Sequence, residues 1–163
     1  MQKTPVALPD FIVNLALQQA KQAFDADEIP VGAVVFKTDT FEIVASAHNE
    51  SIQKNDPSAH AEVIAIRRAC QTLNVKQLVG YSIFTTLEPC VMCAGAISWA
   101  RLDTVYFGAF DPKTGAIEQG AKVFTHPQTH HKPTVIHGIL ADKCGALMSD
   151  FFKAKRLVRK DKK

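Results

Sequence analysis

SIFTTLEPCVMCAGAISWARLDTVYFGAF, residues 82–110, decides the fold. Ser82 to Leu87 is a β-branched and aromatic run of strand length. Pro89 opens an apolar segment of helical length that reaches Ala100, and Thr104 to Phe110 reads as a second strand. Strand, helix, strand is the alternation of an α/β domain. Upstream, His60 to Leu73 places Val63, Ile64, Ile66, Ala69, Cys70 and Leu73 on one broad helical face. Before it stand two short strands, Val31 to Phe36 and Phe41 to Ala47, joined by the turn Lys37-Thr38-Asp39-Thr40. A first helix begins at Pro9 and Asp10, with Asp10 placed to cap it, and runs to Phe24. Downstream come a loop over 111–133, a weaker strand from Val135 to Ile139 and a last helix from Ala141 to about Lys160. The expectation is a single α/β domain over 1–163, with about five strands layered between helices.

The chain has 163 residues, 47 % of them hydrophobic and 21 % charged, which excludes disorder, collagen-like repetition and a coiled coil. No stretch approaches the ~20 apolar residues of a membrane span. Pro5, Pro9, Asp10 and Asn14 interrupt the N-terminal apolar residues, so no secretory signal is expected and the cytoplasm is the default compartment. Four cysteines are too few for a disulfide framework at this length. The net charge of +3 hides an uneven distribution. Residues 153–163 carry seven Lys or Arg against one acid, +6, and the other 152 residues carry 12 basic and 15 acidic side chains, −3. A basic tail on an acidic body suits a polyanionic partner, although such runs are often merely solubilising.

Two short motifs carry chemistry: His60-Ala61-Glu62 and Pro89-Cys90-Val91-Met92-Cys93. Positions three apart share a helix flank, so Cys90 and Cys93 can converge on one ion. Pro89 suits the first helical position, which would put both thiols in the first turn, where the helix dipole favours thiolates. One imidazole, from His60, completes a one-nitrogen, two-sulfur set. Three protein ligands with a fourth position open is the pattern of catalytic rather than structural zinc. Glu62 then serves as proton carrier beside a zinc-activated water. The bland alternative is two buried thiols and an unrelated histidine. A thioredoxin-like role leaves His60-Ala61-Glu62 unexplained. Cys70 and Cys144 have no ligand residues nearby and are expected on core or half-buried helix faces. Glu88 is placed to support the metal helix, and Trp99 is expected in the core or at a dimer interface. His126, His130 and His131 lack an accompanying Cys or carboxylate and read as loop polarity.

H-A-E followed by P-C-x-x-C resembles the zinc-dependent cytidine and deoxycytidylate deaminase superfamily. Further stretches resemble its bacterial tRNA-specific adenosine deaminase branch: Pro30 to Val35, Asn55 to Glu62, Thr86 to Ala96, Asp111 to Ala116, and Gly138-Ile139-Leu140 on to Ser149-Asp150-Phe151-Phe152. The resemblance spans nearly the whole chain. It implies a three-layer α/β/α cytidine-deaminase-like fold with a mixed sheet of about five strands, and one Zn2+ per subunit held by His60, Cys90 and Cys93. The implied activity is hydrolytic deamination of adenosine to inosine at the anticodon wobble position of tRNA, with Glu62 catalytic. Asn49 matches a position that holds the target nucleotide, and the Ala61 backbone would fix the base. Asp111, Lys113 and Phe152 are the further substrate contacts expected. The family is homodimeric, and its tRNA-binding members have a basic C-terminal helix.

The chain departs from the branch after Gly115-Ala116, where Ile117-Glu118-Gln119 replaces the usual Ala-Gly-Ser, and in the spacing of His126-Pro127-Gln128-Thr129-His130-His131. Ala59 to Val63 and Ile97 to Arg101 also resemble guanine deaminases, so a free-purine deaminase, with guanine as substrate, is the alternative enzyme. A non-catalytic RNA-binding protein that keeps zinc for stability is the alternative from another class. It has no use for Glu62.

Overall fold

The computed structural model describes residues 7–162; Met1 to Val6 of the expected domain span and Lys163 of the basic tail lie outside them. The chain runs α1 (Asp10–Asp25), β1 (Gly32–Lys37), β2 (Ile43–His48), α2 (Ala61–Leu73), β3 (Tyr81–Leu87), α3 (Val91–Trp99), β4 (Thr104–Ala109), β5 (Thr134–His137) and α4 (Ala141–Lys160), with a 3₁₀ turn at Val123–Thr125 inside the long loop. The sheet order is β2-β1-β3-β4-β5. β1 pairs antiparallel with β2 and β3, while β3–β4 and β4–β5 are parallel, with Thr85 opposite Phe107 and Val105 opposite Val135. This is the expected five-stranded mixed sheet of the cytidine-deaminase-like fold.

Strand alternation sorts the core into two layers. Ala33, Val35, Ile83, Val105 and Phe107 face α2 and α3. Val34, Phe36, Phe84 and Tyr106 face α1 and, through Cys144, α4. Both faces being covered explains why β1 reads as an unbroken apolar run. Gly32 is where α1 meets the sheet. A Cβ there would overlap the Ala16 carbonyl oxygen of α1, so only glycine permits this approach.

Several expected boundaries move for local reasons. Pro9, not Asp10, occupies the cap of α1, without a side-chain hydrogen bond, and Asp10 is the first helical residue, where its charge still meets the helix dipole. β2 starts at Ile43 because Phe41 takes φ +60° in the turn and lays its ring on Phe36 at 5.9 Å. Phe110 falls just past β4, stacked edge-on against Phe107. β5 stops at His137 because Gly138 turns the chain with φ +81°. Among the described residues no helix is long and apolar enough to cross a membrane.

Candidate metal centre and substrate pocket

The starts of α2 and α3 lie side by side beyond the C-terminal ends of the parallel strands, the usual place for a site in an open α/β sheet. Each start presents a ligand type from its cap position, His60 with ψ 150° and Cys90 with ψ 177°. Here the structure corrects the sequence reading. α3 begins at Val91, so Pro89 precedes the cap and only Cys93 lies in the first turn. The Cys90 carbonyl accepts from Ala94 N at 2.8 Å, as a cap residue does, while its thiol faces both Cys93 and His60.

The Nδ1 of His60 lies 3.6 Å from Cys90 Sγ and 3.4 Å from Cys93 Sγ, and the three ligand atoms all lie within 4.8 Å of one another. Ligands at ordinary Zn–N and Zn–S lengths and tetrahedral angles stand about 3.5 Å apart. The observed spacing therefore fits a zinc ion with a fourth position open. The metal-free triad has a coherent charge pattern. A hydrogen bond from Cys93, then the His60 contact, pulls the Cys90 thiol down to about 4 against the effect of burial. The same Cys90 contact, with burial, pushes Cys93 up, and hydrogen bonding to Cys90 raises the His60 imidazole. Binding a metal replaces the protons held there.

Glu62 is the buried acid of the site. Its carboxylate accepts from Cys93 Sγ and Thr85 Oγ1, each at 3.3 Å, and burial pushes its pKa up. Thr85, on β3, has no motif to announce it; only the register of the strand brings it here.

A cavity of about 250 Å³ opens over this centre, and all five residues expected to contact substrate, Asn49, Ala61, Asp111, Lys113 and Phe152, line it. Asn49 is buried, and its amide nitrogen donates to Glu28 Oε2 at 3.0 Å and Ser51 Oγ at 3.2 Å. Glu28, fully buried, was not foreseen; one acid before an apolar strand carries no signal of its partner. The Asp111 carboxylate closes a turn, accepting from Lys113 N, Thr114 N and Thr114 Oγ1. Phe152 stands half-exposed at the rim, whereas Phe151 is buried edge-on to Phe24. Glu88 does not contact the metal residues. Both its oxygens accept from the backbone of 111–119.

Outside the pocket, Trp99 is 81 % exposed and so is not core. Cys144 is buried and Cys70 half-buried, as expected. The loop histidines do not gather: His126 Nδ1 accepts from Gln128 N, and His131 Nε2 meets Leu102 O at 2.6 Å. Among the described residues His60, Cys90 and Cys93 form the single group placed to hold a metal ion.

Residues 9–109 match the family described as the cytidine and deoxycytidylate deaminase zinc-binding region. The tRNA-specific adenosine deaminase of Agrobacterium fabrum is 42 % identical over 145 residues, covering 89 % of this chain and 94 % of that protein. A solved structure from work on A-to-I editing by tRNA:A34 deaminases at the wobble position superposes with a TM-score of 0.83 and 40 % identity, over 85 % of this chain and 99 % of that one. The guanine deaminase of Nitrosomonas europaea superposes with a TM-score of 0.73 at 24 % identity, over 91 % of this chain and 86 % of that one, a likeness of fold. A nitrogen and two sulfurs poised at zinc spacing, on a chain whose likeness to these proteins runs nearly end to end, lead to one conclusion: this chain belongs to the cytidine and deoxycytidylate deaminase zinc-binding family.

Proposed function

We propose that the chain deaminates adenosine to inosine at the wobble position of a tRNA anticodon stem-loop, adding water at C6 and releasing ammonia. The observation that carries this reading is how the pocket opens. Ile29, Lys113 and Phe152 are shared with a groove of about 650 Å³ whose wall is Lys155, Arg156 and Arg159. The C-terminal helix forms one bank of that groove rather than a cap over the pocket, so a nucleotide can enter while its chain continues outside along basic side chains. A free guanine would have no use for the groove. Tight relatives at about 40 % identity act on tRNA, which supports adenosine in RNA over guanine.

His60, Cys90 and Cys93 would hold a zinc ion, which when bound would supply a water with its pKa lowered to ~7. Glu62 takes up a proton from the attacking water and returns protons to the purine ring nitrogen and to the departing amine. Burial pushes its pKa up, which favours holding the proton between the two steps. Asn49, held by Glu28, and the Ala61 backbone orient the flipped-out base. Asp111, Lys113 and Phe152 hold the nucleotide at the rim.

Residues 1–163 act as one deaminase unit, in the cytoplasm where tRNA is, and pair with a second copy. α3 has no charged residue, yet Val91, Met92 and Trp99 are exposed on it. A helix apolar all round is ordinarily covered. The decisive test sets zinc-loaded protein on a hairpin carrying the anticodon loop, beside free guanine, adenosine and cytidine, and measures ammonia and inosine. Turnover of the hairpin alone is expected. Ammonia from guanine and an untouched hairpin would end this reading.

A further inference from the structure

Glu88 is almost fully buried, two residues before Cys90, and its carboxylate is spent entirely on main chain. Oε1 accepts from Asp111 N at 3.1 Å, and Oε2 accepts from three successive amides, Ile117 N at 3.2 Å, Glu118 N at 2.8 Å and Gln119 N at 2.9 Å. Consecutive N–H groups turned onto one oxygen form an anion-binding nest, here occupied by the protein's own side chain. The neighbouring backbone completes the joint: Ala116 N donates to Pro89 O at 3.0 Å. The loop is drawn so close that a Cβ at Gly115 would sit 2.5 Å from Glu88 Oε1 and from Asp111 O.

We propose that Glu88 is a positioning residue for the RNA substrate: it is the template on which residues 111–119 fold, and it ties the pocket rim at Asp111 and Lys113 to the segment bearing Cys90. Its substrate aspect rests on the proposed function. Every bond in the template is made to backbone N–H, so it is indifferent to the side chains it holds. The joint can therefore hold Ile117-Glu118-Gln119 through their amides alone while Asp111, Lys113 and Thr114 line the cavity. The joint also reaches the metal end, because Glu88, Pro89 and Cys90 are consecutive and leave the carboxylate little freedom to follow a displaced loop.

Substitution by Gln separates the two oxygens. An amide nitrogen cannot accept from an N–H, so the side chain turns its carbonyl to the three-amide nest and its nitrogen to Asp111, giving up one bond and keeping three. Alanine gives up all four. In zinc-loaded Glu88→Gln, hydrogen exchange at the Asp111 amide is expected to quicken about ten-fold or more while 117–119 stay protected; in Glu88→Ala all four amides quicken. With the hairpin, Glu88→Gln is expected to raise KM about ten-fold with kcat nearly unchanged and zinc retained, since the rim contributes uniform binding rather than chemistry. Unchanged exchange at Asp111, or faster exchange with unchanged KM, overturns the proposal. So does loss of folding in both variants by circular dichroism, which makes Glu88 a stability residue only. A wild-type chain inactive on the hairpin defeats the proposed function instead, and the exchange measurement then decides the template by itself.

Discussion

The pocket has a floor and a rim, and they are built by opposite means. The floor is His60, Glu62, Cys90 and Cys93, drawn from two short contiguous motifs at the starts of two adjacent helices, with ligand atoms within 4.8 Å. The rim comes from distant parts of the chain: Ile29 before β1, Asn49 after β2, the turn at Asp111 to Thr114, and Phe152 on α4. Floor positions are set by helix geometry, which local sequence dictates. Rim positions are set by buried polar anchors, Glu28 for Asn49 and Glu88 for the loop, and by the packing of α1 and α4 on the far face. The floor thus needs only two short motifs brought together, His60 to Cys90 across thirty positions, whereas the rim is gathered piece by piece from four separate segments.

The sharpest way to break this contrast is at the floor. Glu62→Gln keeps the side chain's shape and removes its capacity to carry a proton, so zinc content and fold should stay and hairpin deamination should fall about 10²–10⁴-fold, the usual worth of a positioned acid–base group. Single-turnover inosine formation beside metal analysis checks it. Retained turnover at full zinc content would remove Glu62 from the chemistry of the floor.

The next effect tests the far face that carries the rim. Gly32→Ala drives a methyl into the α1 backbone at Ala16 and should cost about 3 kcal/mol, read from the denaturant midpoint, through displacement of α1. Backbone must move, since no flexible side chain is there to yield.

A smaller effect comes from Cys144, packed between α4 and the sheet, where burial pushes the thiol up to about 11. An unfolded thiol titrates near ~8.5. The folded value is the higher one, so the stabilisation is fully present below about pH 8.5 and is lost as pH rises towards 11. The wild type should lose about 2 kcal/mol over that window beyond what Cys144→Ala loses, measured as unfolding free energies at pH 8 and 11. Equal losses would mean the α4 face is open to water.

The gentlest change belongs to the outermost rim. Lys155 pairs with Asp27 at 2.5 Å and lies over the Phe151 ring, whereas Arg156 and Arg159, which line the groove with Lys113, have no ion-pair partner among the described residues. The double change to Ala should raise the KM for the hairpin about ten-fold and lower its salt dependence by about 1 to 2 in log–log slope, with zinc and kcat untouched. An unchanged salt slope would make the basic helix end a solubilising one.

How much of this was legible depends on range. The span of α4, Ala141–Lys160, is as the sequence predicts, because its apolar spacing and charged end are local signals. That His60, Cys90 and Cys93 gather, with Glu62 beside them, was legible because two short motifs announce it. Pro89 misled by one turn position, since nothing local says that the Cys90 thiol must swing towards His60 and that its backbone stays extended to let it. Of the two places expected for Trp99, core and dimer interface, its exposure removes the first, because the helix face it occupies lies outside the sheet packing. Asp111 is expected as a substrate contact; what the structure shows of its side chain is the fastening of a turn, a duty shared between neighbours that composition does not reveal.

By itself the sequence pointed to the floor residues, the alternation of strands and helices, and a basic end on an acidic body, because each is carried by a short contiguous stretch. The tertiary structure alone decided that the pocket opens onto a basic groove and that buried carboxylates at Glu28 and Glu88 hold its rim. Those facts arise from contacts between residues more than twenty positions apart, where a buried acceptor must find its donors and only the packed sheet brings them within reach.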